Sequence, residues 1–186
     1  MLNARPYVLS IAGFDPSGGA GILADIKSFE NLKTLGLGVI TANTIQTEDT
    51  FVKPNWVKEE DTLEQLNTVL SKYKIEFCNI GLIESESVLK GVIKTLKSHH
   101  PKIKIIWDPI ISSSSGFDFH QGFSKEILNE LFLITPNLNE IHAFGSEKKD
   151  AKEIALELSS LCHVYLKGGH SKENKGKDFM FTKDGK

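Results

Sequence analysis

The chain has 186 residues, 40% of them hydrophobic, with Lys+Arg of 22 against Asp+Glu of 24 and a formal charge of −2; that length suits one domain with a sizeable core, and that balance excludes binding of nucleic acid or an anionic membrane through bulk charge. No apolar run approaches the ~20 residues of a membrane span, and residues 1–6 carry no signal core. The two cysteines, Cys78 and Cys162, stand in no C-x-x-C or His/Cys cluster, so the sequence carries no zinc signature and predicts buried free thiols in a cytoplasmic protein.

In chain order, residues 7–12 form a short apolar strand that runs into Gly13, Gly18, Gly19 and Gly21. Glycine lets the backbone turn sharply and approach a ligand. The helix predicted next carries Asp25 early in its course, where a first-turn acid would favour the helix dipole, and its start offers unpaired N–H groups. Further strands are predicted at 39–45, 75–80, 103–107, 133–135 and 164–166. Several are continuous apolar runs, as in strands covered on both faces. Between them Leu63, Leu66, Val69, Leu70 and Tyr73 recur at helical spacing, as do Val88, Leu89, Val92, Ile93 and Leu96, and later Ile154, Ala155, Leu158 and Leu161; these positions read as core. His99 and His100 precede Pro101 and read as a helix end. Residues 46–50, the Ser-rich stretch 111–119 (ISSSSGFDF) and the polar stretch 171–177 read as loops. Residues 178–182 read as a strand and Asp184-Gly185 as a hairpin turn. No second arm follows, so the domain, residues 1–186, is expected to be incomplete at its C-terminal end.

Alternation of strand and helix implies an α/β fold with a mainly parallel central sheet and helices on both faces. Ligands in such folds bind at the carboxyl ends of the strands. Gly13, Asp15, Gln46, Gly81, Asp108, Asn137, Glu140 and Lys167 to Gly169 stand at or just past predicted strand ends. Two generic phosphate motifs fit poorly. Gly13 and Gly18 have P-loop spacing, but Gly19 and Ala20 stand where Lys and Ser/Thr are needed. Gly19, Gly21 and Ala24 match a dinucleotide fingerprint, with Glu48 further on, yet residues 13–18 separate it from its strand. A nicotinamide oxidoreductase is the most distant reading.

A more specific likeness covers nearly the whole chain. Residues 10–27 (SIAGFDPSGGAGILADIK), 40–47 (ITANTIQT), 80–82 (IGL), 108–110 (DPI), 135–140 (TPNLNE) and 166–170 (LKGGH) resemble, in order, the landmarks of the hydroxymethylpyrimidine/phosphomethylpyrimidine kinases of thiamine biosynthesis, which have the ribokinase-like fold. The resemblance implies ATP- and Mg²⁺-dependent phosphorylation of hydroxymethylpyrimidine and then of its monophosphate.

It also implies residue roles. Gly13, Asp25, Gln46 and Gly81 would bind the pyrimidine. Asp25 would accept from its hydroxymethyl or amino group, Gln46 would offer a donor and an acceptor to the ring edge, and Gly13 a backbone N–H. Asp108, Asn137 and Lys167 would bind ATP and its phosphates, and Asp108 and Glu140 would order Mg²⁺, directly or through water. Each has a plainer reading: Asp108 as a turn former before Pro109, Asn137 and Glu140 as a capping pair, Gln46 and Lys167 as solvated strand-end groups. The family's G-T-G-C segment, with its anion hole and catalytic base, occurs nowhere in this sequence. Neither Cys78 nor Cys162 inherits that role, and the catalytic residue is unassigned. Two alternatives stay open: a pyridoxal-type vitamer kinase of the same fold, and a non-catalytic pyrimidine-binding fragment, since the segment with the catalytic base is absent. The oligomeric state, homo-oligomer included, is also open.

Overall fold

The computed structural model describes residues 5–111, 123–146, 148–169, 176–183 and 185. The order of elements is β1 (Tyr7–Phe14), α1 (Gly21–Asn31), β2 (Leu35–Gln46), β3 (Phe51–Trp56), α2 (Glu59–Lys72), β4 (Phe77–Ile80), α3 (Glu86–His99), β5 (Lys104–Trp107), β6 (Leu133–Ile134), α4 (Ala151–Leu158), β7 (His163–Leu166) and β8 (Phe179–Phe181). Two 3₁₀ segments, Lys125–Glu130 and Glu140–Phe144, flank β6. The strands form one sheet in the order β3-β2-β1-β4-β5-β6-β7-β8. The inner strands run parallel, and β3 and β8 pair antiparallel at the two edges.

Side chains alternate along each strand, and the register sorts them. Leu9 and Ile11 stand beside Cys78 and Ile80, which stand beside Ile105 and Trp107. All six are buried and join one core with Leu66 and Leu70 of α2, Val92 and Leu96 of α3, and Ile154 and Leu158 of α4. Taking a Leu or Ile fully from water contributes ~1.5–3 kcal/mol. A one-residue slip would turn this whole set to the other face, so the register is strongly specified. The opposite face of β1 and β2 receives α1. A Cβ on Gly36 would lie 2.6 Å from Ile26 Cδ1, and one on Gly38 3.2 Å from Ile22 Cγ2, so these strand glycines let the helix lie close. On the same face of the later strands Phe77, Tyr165 and Met180 remain exposed.

Helix ends follow local chemistry. Ser85 caps α3 by accepting from Val88 N, and His99 ends the helix with His100 as its C-cap. Asp150 and Glu153 make a reciprocal capping box at α4.

One strand was not predicted from the sequence. Residues 51–56, next to the predicted 46–50 loop, form a strand: β3 pairs with β2, Pro54 opposite Thr44. Proline is tolerated because this is an edge strand. The strand predicted at 178–182 is β8, which pairs with β7, Tyr165 opposite Met180. The Ser-rich stretch (apart from Ile111), most of 171–177, His170 and Asp184 lie outside the described residues.

Candidate functional site

β1 connects to β2 on one side and the chain then crosses to β4 on the other. The order reverses at β1, and such a switch point opens a crevice at the strands' carboxyl ends. A cavity of about 210 Å³ lies there, with Gly13, Asp15, Gly21, Asp25, Gln46 and Gly81 in its lining and Asp108 at its border. That is below the ~300–1,000 Å³ typical of drug-sized ligands, so the cavity suits a single ring with small substituents rather than a dinucleotide.

The glycine loop is organised by Asp15, which is 5% exposed. Its Oδ1 accepts from Ser17 N at 2.8 Å and Ser17 Oγ at 2.8 Å. Its Oδ2 accepts from Gly19 N at 3.1 Å and Ala20 N at 2.9 Å. Burial works to raise the Asp15 carboxyl, but hydrogen bonds from Ser17, Gln46 and Ala20 outweigh it and hold the group below its ordinary value. Part of the amide-rich start of α1 is therefore taken by the chain's own carboxylate. Three of the loop glycines separate on geometry. Gly21 has φ +57°, and a Cβ there would sit 2.2 Å from Gly13 O. Gly18 has φ +70° and only the tip of Lys27 within 3 Å of its missing Cβ. Gly19 has open space by comparison. Thr44 Oγ1 donates to Phe14 O at 2.8 Å, tying the end of β1 to β2 beside the cavity.

Asp25 lies past the first turn of α1, which contains no acid, so the helix-dipole reading of this residue is set aside. Its Oδ2 accepts from Ser10 Oγ at 2.6 Å and from Asn79 Nδ2 at 3.0 Å. Gln46 is the last residue of β2, opposite Phe51 of β3. Gly81 follows β4 and extends its pairing, with Gly81 N donating to Ile11 O at 2.9 Å. Sequence reasoning missed Ser10, Asn79 and the bonding role of Asp15.

Asn137, Glu140 and Lys167 lie outside this cavity and form a second cluster with Asp108. Lys167 Nζ donates to Asp108 Oδ1 at 2.6 Å and lies 3.8 Å from Glu140 Oε2. Thr135 Oγ1 also donates to Asp108 Oδ1, at 3.1 Å. The capping reading is realised: Asn137 Oδ1 accepts from Glu140 N at 2.9 Å, and Glu140 Oε2 accepts from Asn137 N at 2.7 Å. Asn137 and Lys167 are joined by a parallel bridge. Asp178, unnoticed in the sequence, secures the turn after Lys167 by accepting from Gly168 N at 2.9 Å and Tyr165 Oη at 2.7 Å. Asp108 thus belongs to both groups, bordering the cavity and anchoring the charged cluster. Among the described residues no cluster of three or more His, Cys, Asp or Glu is poised for a metal, and no helix is long and apolar enough to cross a membrane.

Both cysteines are buried and free. Burial first, then the Asp25 charge, pushes the Cys78 thiol far up. Burial lifts Cys162 to about 12. Neither is a thiolate near neutral pH.

Comparison with known proteins agrees with this architecture. The family model for phosphomethylpyrimidine kinase matches residues 15–186. The hydroxymethylpyrimidine/phosphomethylpyrimidine kinase of Aquifex aeolicus is 37% identical over 194 aligned positions, covering 96% of this chain and 73% of its own length. The enzyme of the same description from Salmonella typhimurium is 32% identical, with 97% and 72% covered. Among solved structures, phosphomethylpyrimidine kinase from Clostridium difficile superposes with a TM-score of 0.83 at 29% identity, over 97% of this chain and 82% of that one. Pyridoxal kinase from Staphylococcus aureus, in complex with AMP-PCP and pyridoxal, gives a TM-score of 0.79 at 26% identity, over 97% and 69%. With its ribokinase-like sheet, its switch-point cavity and these matches, the chain belongs to the phosphomethylpyrimidine kinase family.

Proposed function

We propose that this chain binds hydroxymethylpyrimidine in the switch-point cavity and transfers phosphate from ATP to its hydroxymethyl oxygen, then to the resulting monophosphate. The observation that carries this reading is a cavity of one-ring size, lined by Gly13, Asp25, Gln46 and Gly81, that meets a charged cluster at Asp108. A ring with an exocyclic amine and a hydroxymethyl group offers donors to Asp25 and both a donor and an acceptor to the Gln46 amide. The backbone at Gly13 and Gly81 lets the ring lie against the strand ends.

Phosphoryl transfer depends on positioning and on neutralising charge. Lys167 is the cation for a phosphate oxygen, and Asn137 holds the strand end beside it. The donor set suits Mg²⁺, which takes one or two carboxylates and keeps waters. Asp108 and Glu140 would hold it, and Asp108 Oδ2 accepts no hydrogen bond from a described residue. When bound, the ion supplies charge neutralisation at the phosphates. Neither cysteine supplies the base, because both thiols are buried and protonated.

The test pairs calorimetric titration of 4-amino-5-hydroxymethyl-2-methylpyrimidine with an ATP-consumption assay, using pyridoxal as the competing acceptor. Pyrimidine binding with turnover is expected. Preference for pyridoxal would move the assignment to a vitamer kinase, the reading that the likeness to pyridoxal kinase structures favours second. Binding without turnover would make the chain a pyrimidine-binding protein.

A further inference from the structure

Asp25 is reached from two strands. Ser10, in the middle of β1, is fully buried and its hydroxyl donates to Asp25 Oδ2 at 2.6 Å. Asn79, one strand over in β4 and beside Ser10 in the register, donates through Nδ2 to the same oxygen at 3.0 Å. A carboxylate only accepts, so the Asn79 amide must present its nitrogen to Asp25. Both donors converge on one oxygen. Asp25 Oδ1 accepts no hydrogen bond from a described residue, and Asp25 lines the cavity. A polar serine at a fully buried strand position is costly without a partner, and here its partner is a residue of the candidate site.

We propose that Ser10 and Asn79 are positioning residues that act through Asp25: they clamp one carboxylate oxygen and so present the other to a donor on the ring substrate. This rests on the pyrimidine reading of the cavity and deepens it. Ser10 lies beneath the site and does not line it. Its effect on binding therefore passes through Asp25. Asn79 does line the cavity. With its nitrogen committed to Asp25, it has an amide oxygen left for the ligand.

A double-mutant cycle tests the clamp. Ser10→Ala and Asn79→Leu are titrated with 4-amino-5-hydroxymethyl-2-methylpyrimidine in the native background and in Asp25→Ala. Each is expected to weaken binding about ten- to 150-fold in the native background, the scale of one hydrogen bond to a charged group. Ser10→Ala should change affinity less than about twofold once Asp25 is gone. Asn79→Leu should lose part of its effect and keep the part that its own oxygen contributes. Ser10→Cys, of similar size and with a weak donor, guards against a variant that fails to fold, and should fall between serine and alanine. Equal losses in both backgrounds would overturn the clamp while leaving the pyrimidine site intact. Absence of binding by the native chain would instead overturn the functional reading, and the clamp with it.

Discussion

Replacing Asp15 by asparagine tests how the glycine loop is held. The side chain stays the same size, but one acceptor oxygen becomes a donor. In the native loop Oδ1 faces Ser17 N and Oδ2 faces Gly19 N and Ala20 N. Whichever way the amide turns, its NH₂ group meets at least one backbone N–H. Hydrogen bonds to charged groups contribute about 1.5–3 kcal/mol each, and a buried donor facing a donor adds a desolvation cost. The expected loss is about 2–4 kcal/mol, because one or two such bonds disappear while the rest of the loop stays bonded. In a chain of this size 1 kcal/mol moves Tm by about 2–4 °C, so Tm should fall by about 5–15 °C. Circular dichroism during thermal unfolding at pH 7 measures it.

The pH dependence has a defined sign. The native Asp15 carboxyl titrates below its unfolded value, so its stabilisation is complete above the ordinary carboxylate range. It is lost as pH falls through the native value. The gap in Tm between native and Asp15→Asn should therefore narrow toward acid. A drop in Tm below about 2 °C at pH 7, or a gap that widens on acidification, would refute the argument.

Gly21→Ala should abolish pyrimidine binding and lower Tm, because its Cβ would sit 2.2 Å from Gly13 O at φ +57° and the left-handed backbone alone costs about 1–2 kcal/mol; unchanged affinity in calorimetry would show that the loop can re-form. Gln46→Ala should weaken the pyrimidine about tenfold with an unaltered circular dichroism spectrum, and native-like affinity would remove Gln46 from the site. Lys167→Met should weaken ATP at least about tenfold while pyrimidine affinity changes less than about twofold; equal losses for both ligands would mean that the two clusters are one unit. Neither thiol should react with an aromatic disulfide reagent before unfolding, since both are buried and protonated, and prompt labelling of the native chain would contradict that burial.

The apolar runs at 7–12, 75–80 and 103–107 were legible because fully buried parallel strands need side chains for both faces, and that demand is written into consecutive residues. Strand β3 was not, because an edge strand with Lys53, Pro54 and an exposed Val52 shows no such run. Gly13, Gln46 and Gly81 at strand ends and Asp25 in α1 could be named from the chain because glycine turns and the family landmarks are local signals, and the fold brings all four to one cavity. Ser10 and Asn79 left no trace of their partnership: each is one polar residue in an apolar strand, and their shared partner Asp25 lies 15 and 54 positions away along the chain. The order of residues alone determined most of the strands and helices, though not β3, and named the strand-end residues that the fold gathers around one cavity. Only the tertiary structure decided that β1 lies between β2 and β4, since strand order is settled by packing across the whole sheet, and that adjacency sets Ser10 and Asn79 side by side beneath a single carboxylate.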